Sequence, residues 1–509
     1  MLALNTMHRS FSGLFQQLDF LQGAPQGFLM LQKLAVVLLD NNEYSLRAVP
    51  FICGSLALVL MLPLARETLS PLAVPVAVAL FAVSDPLINW TAYAKQYAVD
   101  VLMAVVVLWV GLRLVNRPRR GFELALFSAV GVAAIWLSHP SVFVLAGVST
   151  ALVVGALVER EWRRVVVISA ASVPWLLSFG VFILTSLHEL KDLQSAIGGG
   201  PGAYVGSSRP GSSTFTALRG DFGEFRYVSG IPHVFERGST DAGQLILLIA
   251  LGFCIVGLLS LPGKRLEKQL AILVPVILMF IAWGLDKYPL LGRTQLFLIP
   301  SFILLLAEGV NCSITRPRRA SVRAASATCS VVVAIALVAP TLGHVTKPRR
   351  FEDLKPVLNY LAARQLPGDT VYVYYTAQYQ LRYYMECGCA GAEFESARRS
   401  GLWPMRRGPG GSDEFAPALL SVPPRLIIAP YRGRDPQPYV GDLSALRGRR
   451  RVWFLLSSLE ESRRIFLLRE LDKRGTLRAA FSLGNGKNAA GTYLYDMTQP
   501  ARTITPGSG

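Results

Sequence analysis

The sequence predicts a polytopic α-helical membrane protein with a small α/β domain at its carboxyl terminus. Of the 509 residues, 52% are hydrophobic and only 17% are charged, whereas soluble domains carry about 25% charged residues. The apolar residues are grouped into repeated runs close to bilayer length. Near residue 346 the composition changes to that of a soluble α/β module.

Ten apolar runs define the predicted membrane domain over residues 44–345, because each is long enough or nearly long enough to cross a bilayer. They lie near 45–65, 70–88, 96–115, 122–138, 141–158, 165–187, 243–261, 269–285, 295–310 and 326–345. The fourth and fifth runs flank "SHP" and share only about 35 residues, so they are either two spans or one broken helix.

The basic residues alternate between the loops and predict the orientation of the chain. One set of alternate loops contains "NRPRR", "GKRLEK" and "RPRRASVR", and the other contains "NWTAYAKQY", "LDKYPLLGR" and the long segment 188–243. The first set is denser in Lys and Arg and should face the cytoplasm. We therefore expect a cytoplasmic (inner) membrane protein with residues 1–43 and the domain 346–509 on the periplasmic or extracellular side.

The long outer loop, residues 188–243, is rich in Gly, Ser and Pro. Long loops without secondary structure are usually functional or disordered. A mobile flap over a substrate cleft and a plain disordered loop are both open interpretations.

The opening segment, residues 1–43, raises a question of topology. Residues 1–26 lack a basic region followed by an apolar core, so they are not a signal peptide. The run from Gly27 to Leu39 suits an interfacial or re-entrant helix better than a span. An outer amino terminus normally needs a preceding span, so we expect a first transmembrane helix upstream of Met1; the alternative is that a short, weakly charged tail crosses unaided.

The carboxy-terminal domain is predicted to be a small layered sheet. "FEDLKPVLNYLAARQ" and "ESRRIFLLRELDKRG" read as helices, and "TVYVYYT", "RLIIA", "RVWFLLS" and "GTYLYDM" read as strands. Its excess of Lys and Arg either attracts anionic headgroups and lipid-linked phosphates or is plain solvated charge. It carries no Ser-His-Asp set, Walker motif, HExxH or CxxC pair, so we expect an accessory role.

Charge and cysteine content exclude two further classes. The formal net charge of +18 is compatible with nucleic-acid binding, but membrane proteins collect Lys and Arg in their loops for topological reasons, and we expect no nucleic-acid partner. The six cysteines are too few and too scattered for a disulfide framework. Cys387 and Cys389 form a Cys-x-Cys that is too short by itself for a zinc site.

Ionisable residues beside or inside apolar runs are rare and tend to mark functional sites. On the predicted outer side they are Arg47, Asp85, Lys95, Asp100, His139, Asp286, Lys287 and Arg293, with Tyr97 among them. Arg, Lys and Tyr at a membrane boundary suit a lipid phosphate whose tail runs between helices, although snorkelling or anchoring explains each residue singly. Asp100 lies a full turn inside its run and needs a partner, for which Lys95 or Gln96 is in reach.

Four segments recur in order and carry a resemblance: "QGAPQGFLMLQKL", "EYSLRAVPFICGSLALVL", "YAKQYAVDVLMAVV" and "YPLLGRTQLFLIP". Over residues 1–345 the sequence resembles bacterial integral-membrane glycosyltransferases of the GT-C type. It is similar to the group of dolichyl-phosphate-mannose protein mannosyltransferases and lipid A aminoarabinose transferases (family 39-like). The resemblance implies a GT-C-like helical bundle.

The resemblance also implies inverting transfer of a sugar from a polyprenyl-phosphate donor to a cell-envelope acceptor (a glycan, lipid or protein) at the outer face. An acidic residue in the first outer loop would take the proton of the acceptor hydroxyl, and cations or a divalent metal would stabilise the leaving phosphate. The place of the family's acidic pair precedes Met1, and Tyr93 stands where the family has a glutamate. Asp19 is therefore the remaining candidate base.

The remaining candidate residues fall into two groups. Those expected to bind the donor phosphate are Lys95, Arg293 and Arg47, and those expected to line the cleft are Gln22, Tyr97, Asp100, Asp85 and His139. The expected partners are the lipid-linked donor, the acceptor and membrane lipids. Two other functions stay open: a transporter or flippase of a lipid-linked substrate, which inverted repeats would support, and a non-catalytic, truncated family member.

Overall fold

A computed structural model of the chain describes residues 1–116, 121–196, 240–285, 287–289, 292–346, 353–399, 425–432, 435–484 and 489–498. The basic segment 117–120, most of the predicted outer loop (197–239) and Asp286 lie outside the described residues.

The opening segment folds into short helices rather than an extended leader. It forms α1 (Leu2–His8), two 3-10 turns (Ser12–Phe15 and Asp19–Leu21) and α2 (Gln26–Leu38). Helix α2 has 13 residues and occupies the position of the predicted interfacial helix. One side of it, with Phe28 and Leu29, is buried, and Val37 and Leu38 on the other side are exposed.

The membrane domain is a helical bundle with a helix at the position of every predicted apolar run. Its helices are α3 (Glu43–Thr68), α4 (Ala73–Ala82), α5 (Asp85–Thr91), α6 (Tyr97–Asn116), α7 (Gly121–Leu137), α8 (Ser141–Val158), α9 (Trp162–Ala196), α10 (Thr240–Ser260), α11 (Arg265–Gly284), α12 (Ile299–Thr315) and α13 (Ala320–Thr346). A 3-10 segment, Gly292–Leu298, leads into α12.

Fewer of these helices reach spanning length than the ten apolar runs predict. In the described part of the chain, seven helices are long and apolar enough to cross a membrane, or eight if α4 and α5, which meet at 47°, form one bent span. Helix α7 and the apolar part of α10 (Gln244–Ser260) fall just short of spanning length. Helix α7 does so because it ends at the turn Ser138–Pro140. The chain is thus a multi-pass helical membrane protein.

The two helices on either side of "SHP" are separate elements and not one broken helix. Helix α7 packs mainly on α9, whereas α8 packs mainly on α11 and α6. Helix α7 also contacts α2 at a point where a Cβ atom on Gly27 would lie 2.7 Å from the backbone oxygen of Trp136. Only glycine permits this close approach, which holds the opening segment against the bundle.

A reciprocal pair of glycines joins α10 to α12. A Cβ on Gly257 would lie 1.9 Å from the carbonyl oxygen of Leu305, and a Cβ on Gly309 would lie 1.8 Å from that of Phe253. Within a membrane, helices associate by close packing at small residues rather than by the hydrophobic effect. This contact therefore fixes α12, whose amino-terminal end continues from the segment that carries Arg293.

The carboxy-terminal domain is a five-stranded mixed sheet with helices on both faces. Its elements are α14 (Leu354–Arg364), β1 (Thr370–Val373), α15 (Gln378–Cys387), α16 (Ala392–Arg399), β2 (Arg425–Ile428), α17 (Val440–Ser444), β3 (Val452–Leu456), α18 (Glu461–Asp472), β4 (Thr476–Leu483) and β5 (Ala490–Asp496). The strand order is β2-β1-β3-β5-β4. Strand β1 pairs in parallel with β2 and β3, and β5 pairs antiparallel with β3 and β4.

The strand and helix predictions for this domain are realised at all six predicted segments, and β4 is the strand that they omit. Its sequence "TLRAAFSL" alternates in burial, but Arg478, Ala479 and Ala480 have low β propensity, so the alternation is weak. Antiparallel pairing with β5 holds it in the sheet.

The buried carboxylate of Asp369 fixes the turn that precedes β1. Asp369, only 2% exposed, accepts hydrogen bonds from Arg451 Nε (2.7 Å), Trp453 Nε1 (2.8 Å) and the Leu366 backbone N–H (3.0 Å). These bonds offset the cost of removing the charge from water and tie the turn before β1 to β3.

We expect Gly257→Val to destabilise the membrane domain, because its side chain would collide with the α12 backbone, at a cost of about 3 kcal/mol. Gly252→Val is the matched control: it lies on the same helix, and its Cβ would have no neighbour within 4 Å. The thermal unfolding midpoint of each purified variant in detergent should fall for Gly257→Val and not for Gly252→Val. Equal midpoints for the two variants would contradict the role given to the glycine contact.

Candidate functional site

The residues singled out in the sequence meet partly at one end of the bundle, beneath the carboxy-terminal domain. Lys95 lies in the turn between α5 and α6, and its Nζ donates a 2.7 Å hydrogen bond to Gln22 Oε1 of the opening segment. Gln22 Nε2 in turn donates to the Phe20 carbonyl at 3.2 Å. The opening segment thus forms one wall around the Lys95 ammonium group.

Two cations come together at this point. Burial, reinforced by the neighbouring positive charge of Arg293, lowers the pKa of Lys95 to about 8. Within the described part of the chain no carboxylate pairs with Lys95, and Arg293 itself is exposed. A half-buried ammonium beside a guanidinium is unfavourable until an anion neutralises them. The arrangement therefore favours an anionic ligand.

Aromatic residues flank Lys95 in the sequence and contact one another. The ring of Trp90 contacts Tyr97 at 4.6 Å and Tyr93 at 4.8 Å between centroids. Trp90 and Tyr97 also line a small apolar pocket with Phe81, Leu87 and Leu296. These lining residues stand on both sides of Lys95 in the sequence, so an apolar surface and a cation occur close together, as the binding of a lipid phosphate requires.

Asp100 is buried in α6 and has a different environment from the one predicted. Its exposure is 5%, and Ser138 lies next to the carboxylate. In the described chain neither Asp100 Oδ1 nor Ser138 Oγ has a hydrogen-bond partner. The prediction that the Lys95 or Gln96 side chain would reach Asp100 is wrong. The Lys95 ammonium donates to Gln22 instead. Gln96 contacts Asp100 through its backbone, because its carbonyl accepts from the Asp100 N–H at 3.0 Å, as in any helical turn.

Two further polar residues at this end of the bundle, Gln295 and Tyr288, were missed in the sequence. Gln295 is 1% exposed, and neither atom of its amide has a hydrogen-bond partner in the described chain; the same holds for Gln96 Oε1. Tyr288, whose pKa is raised by burial and by the Asp100 charge, donates to the Thr294 carbonyl at 2.7 Å. Gln295 could have been found in the sequence, because it is a polar residue directly before the apolar segment "LFLIP".

Asp19 is held in an ion pair. Arg9 donates from Nη2 to Asp19 Oδ1 at 2.8 Å and from Nε to Oδ2 at 3.3 Å. Asn5 braces the same residue, accepting from the Asp19 backbone N–H at 2.8 Å and donating to its carbonyl at 3.2 Å. Both carboxylate oxygens are therefore engaged in fixing the opening segment.

The other three candidates make contacts of their own. Arg47 is exposed and its charge acts on Tyr383 and Tyr384 of α15. Asp85 Oδ1 lies 3.3 Å from His344 Nε2 and so links α5 to α13. The His139 ring packs 5.2 Å from that of Phe182, and burial lowers its pKa to about 4, so it is neutral near pH 7.

The carboxy-terminal domain packs directly on the opening segment through α15. His8 Nε2 lies 2.5 Å from Glu386 Oε2, and Arg382 Nε donates to Glu386 Oε1 at 2.9 Å. Burial alone would raise the pKa of Glu386, but these two partners lower it overall.

Apolar and aromatic contacts complete this interface. Phe20, which has a left-handed φ of 63°, contacts the Tyr379 ring at 5.0 Å. The Tyr384 hydroxyl donates to Glu43, and Leu4 shares a buried cluster with Leu381. The opening segment is thus enclosed between the bundle and the domain.

Cys387 and Cys389 form a disulfide at the carboxyl end of α15, which the cysteine count did not predict. The remaining cysteines, Cys53, Cys254, Cys312 and Cys329, are free thiols. Residues 387 and 389 are two apart, so the bond closes a tight loop around Gly388, which has a left-handed φ of 66°.

A divalent metal does not fit the side chains at this site. In the residues that the structure describes, no group of three or more His, Cys, Asp or Glu side chains is arranged to hold an ion. We therefore derive no step through a metal.

Comparison with solved structures finds membrane enzymes that transfer sugars. ArnT from Cupriavidus metallidurans in the apo state is 13% identical with a TM-score of 0.43, over 92% of this chain and 87% of that chain. ArnT bound to undecaprenyl phosphate is 14% identical with a TM-score of 0.41, over the same shares. These proteins are of the class that the sequence segments resemble.

The oligosaccharyltransferase of Archaeoglobus fulgidus, tethered to an acceptor peptide containing the NVT sequon, is 14% identical with a TM-score of 0.42 over 71% of this chain. The matched region spans 55% of the archaeal chain, or about half its length. No protein-family model and no curated protein matches the sequence. We base the functional proposal on the side chains described above.

We expect Glu386→Gln to loosen the opening segment from α15, because it removes the charge that His8 and Arg382 share, worth roughly 1 kcal/mol for a half-buried pair. Amide hydrogen exchange in residues 2–20 should become about fivefold faster. The control is Glu470→Gln, which removes a carboxylate of α18 that is paired with Arg474 just after the helix. It should leave the exchange in residues 2–20 unchanged. The same rate in Glu386→Gln and the unsubstituted protein would show that the ion pair does not hold the segment.

Proposed function

We propose that the chain is a glycosyltransferase that takes a sugar from a polyprenyl-phosphate donor and transfers it, with inversion, to a cell-envelope acceptor at the outer face of the cytoplasmic membrane. The observation that supports this most directly is the buried Lys95 ammonium, which feels the charge of Arg293 and lies in the chain between residues that line an apolar pocket, Trp90 and Tyr97. The solved structure with undecaprenyl phosphate is of a protein similar to this one in fold class.

Lys95 and Arg293 would hold the donor phosphate. The phosphate carries the negative charge that departs when the bond from the anomeric carbon to the phosphate oxygen breaks, and fixed cations stabilise that charge in a site of low dielectric. Gln22, which accepts from Lys95, would orient the ammonium group. Tyr97 and Trp90 would lie beside the first apolar units of the lipid.

Asp19 remains the candidate base named from the sequence, but its contacts favour a positioning role. A carboxylate takes a proton from an acceptor hydroxyl only when one of its oxygens is free to contact that hydroxyl, and both oxygens of Asp19 accept from Arg9. We infer that the Arg9–Asp19 pair holds the wall that carries Gln22.

An outer location for the site is supported by charge and by the disulfide. The loop after α12 contains Arg316, Arg318 and Arg319, as expected of a cytoplasmic loop. The carboxy-terminal domain, on the opposite side in the predicted topology, carries the Cys387–Cys389 disulfide. Disulfides persist in oxidising compartments, so we place this domain in the periplasm or outside the cell.

We expect Lys95→Ala to lower the release of polyprenyl phosphate from a polyprenyl-phosphate sugar by at least about 100-fold, as loss of one charged donor to a developing anion does. The measurement is release of polyprenyl phosphate by the purified protein in the presence of acceptor. Lys287→Ala, at an exposed lysine near the same end of the bundle, is the control. Unchanged turnover in Lys95→Ala would refute the phosphate assignment, and movement of the intact donor across the membrane without release would favour a flippase.

Affinity for polyprenyl phosphate should fall as pH rises above about 8, because Lys95, with a pKa of about 8 in the free protein, loses its positive charge. A bound phosphate stabilises the ammonium and raises its pKa, so the association constant falls up to about tenfold per pH unit between the two pKa values. In Lys95→Arg the charge persists, and the affinity should stay flat from about pH 7 to pH 9. The same slope in both proteins would show that another group titrates.

Asp19→Asn should raise KM and change kcat by less than about tenfold if Asp19 positions the loop. The substitution keeps the backbone bonds to Asn5 and removes only the charge that faces Arg9. Steady-state rates measured across pH distinguish a positioning residue from a general base. Loss of a general base also removes the acidic limb of the plot of kcat against pH. A drop in kcat of about 100-fold or more with loss of that limb would instead identify Asp19 as the base.

A further inference from the structure

The carboxyl edge of the sheet in the carboxy-terminal domain has the topology of a binding crevice. The helices α15 and α16 that follow β1 pack on the face with Val371 and Val373. The helices α17 and α18 that follow β2 and β3 pack on the opposite face, with Tyr372 and Phe454. The chain therefore leaves β1 and its neighbours toward opposite faces, and ligands of open α/β sheets bind at such switch points.

Four tyrosines gather where β1 and β2 end. Tyr374 and Tyr439 are fully buried and lie 4.8 Å apart between ring centroids. Tyr375 stacks on Tyr439 at 5.7 Å with an interplanar angle of 14°. Tyr431 contacts Tyr375 at 5.1 Å with an angle of 61° and is itself 65% exposed. The buried rings hold the exposed one in a defined position.

Polar groups surround this aromatic floor. Arg432 donates from its backbone N–H to the Tyr439 hydroxyl at 2.9 Å and from Nη2 to Asp442 Oδ1 at 2.7 Å. On the other side, Thr376 donates to the Ser457 carbonyl, and Ser457 Oγ donates to Gln380 Oε1 at 2.7 Å. Arg432 and Asp442 thus supply accessible donors and acceptors next to the aromatic cluster, whereas Ser457 is fully buried and helps to hold the loop after β1 in place.

The backbone next to Ser457 is strained. Ser458, directly after β3, has a φ of 55°, a left-handed conformation that is uncommon for a residue other than glycine. Such strain concentrates at ligand-binding positions, where the surrounding structure enforces it.

We propose that this crevice, with Tyr431 and Tyr375 as its floor, binds a saccharide. A pyranose ring has an apolar face of C–H bonds, which packs on the electron-rich face of an aromatic ring, and a rim of hydroxyls that need donors and acceptors. The crevice offers both in that arrangement. The Arg432 charge is already paired with Asp442, which disfavours an inorganic anion as the ligand.

Helix α15, which begins three residues after Tyr375, connects this end of the sheet to the opening segment. Tyr379, in the first turn of α15, contacts Phe20, and the Phe20 carbonyl accepts from Gln22, the partner of Lys95. The binding itself rests on the carboxy-terminal domain and is independent of the proposed transfer reaction.

Saturation-transfer NMR on the full-length protein in detergent tests this inference, with mannotetraose and cellotetraose as the probes and adenosine and inorganic phosphate as competitors. We expect transfer to C–H protons on one ring face of at least one saccharide. Tyr431→Ala should reduce the signal at least fivefold, and Tyr431→Trp, which keeps an aromatic face, should retain it. Because Tyr431 is largely exposed, its removal leaves the buried cluster in place.

Leu477→Ala, at an exposed position on β4 at the far edge of the sheet, is the matched control and should bind as the unsubstituted protein does. Equal signals in Tyr431→Ala and the unsubstituted protein, no saccharide signal above empty micelles, or displacement by adenosine or phosphate would each overturn the inference. No donor is present in this measurement. Saccharide binding by a protein that fails to release polyprenyl phosphate would therefore overturn the proposed function alone.

Discussion

The packing of the opening segment between the membrane bundle and the carboxy-terminal domain is the constraint on which the site depends. Gly27 brings α2 against the backbone of α7, and His8 and Phe20 meet α15 on the other side. Because both surfaces are fixed, the short stretch between them has little freedom, and Gln22 is delivered to Lys95. Loss of either contact would free the opening segment and remove Gln22 from the Lys95 ammonium group.

The electrostatics of the site follow from the burial of charged and polar side chains at one end of the bundle. A lysine in the turn before α6 is removed from bulk water, which lowers its pKa, and Arg293 lowers it further. Deeper in the bundle, Asp100 and Gln295 are buried with polar atoms that lack partners among the described residues. Unsatisfied polar groups are costly in an apolar environment, and functional sites are where proteins retain them.

The carboxy-terminal domain takes part in enclosing the opening segment. Its helix α15 supplies Glu386, Tyr379 and Tyr384 to the wall of the opening segment. The same helix begins at the crevice that carries Tyr375 and Tyr431. One element therefore contacts the opening segment and begins close in sequence to the proposed saccharide site.

The sequence by itself determined the membrane class, the positions of the helices and the presence of a carboxy-terminal sheet domain, and it singled out Lys95 as a candidate. These depend on local composition and periodicity, which a single chain displays directly. Only the tertiary structure decided that Lys95 meets Gln22 and not Asp100, that Asp19 is paired with Arg9, and that Arg47 faces α15. Such contacts join residues far apart in the chain, and their geometry depends on the relative placement of whole helices, which local sequence patterns do not encode.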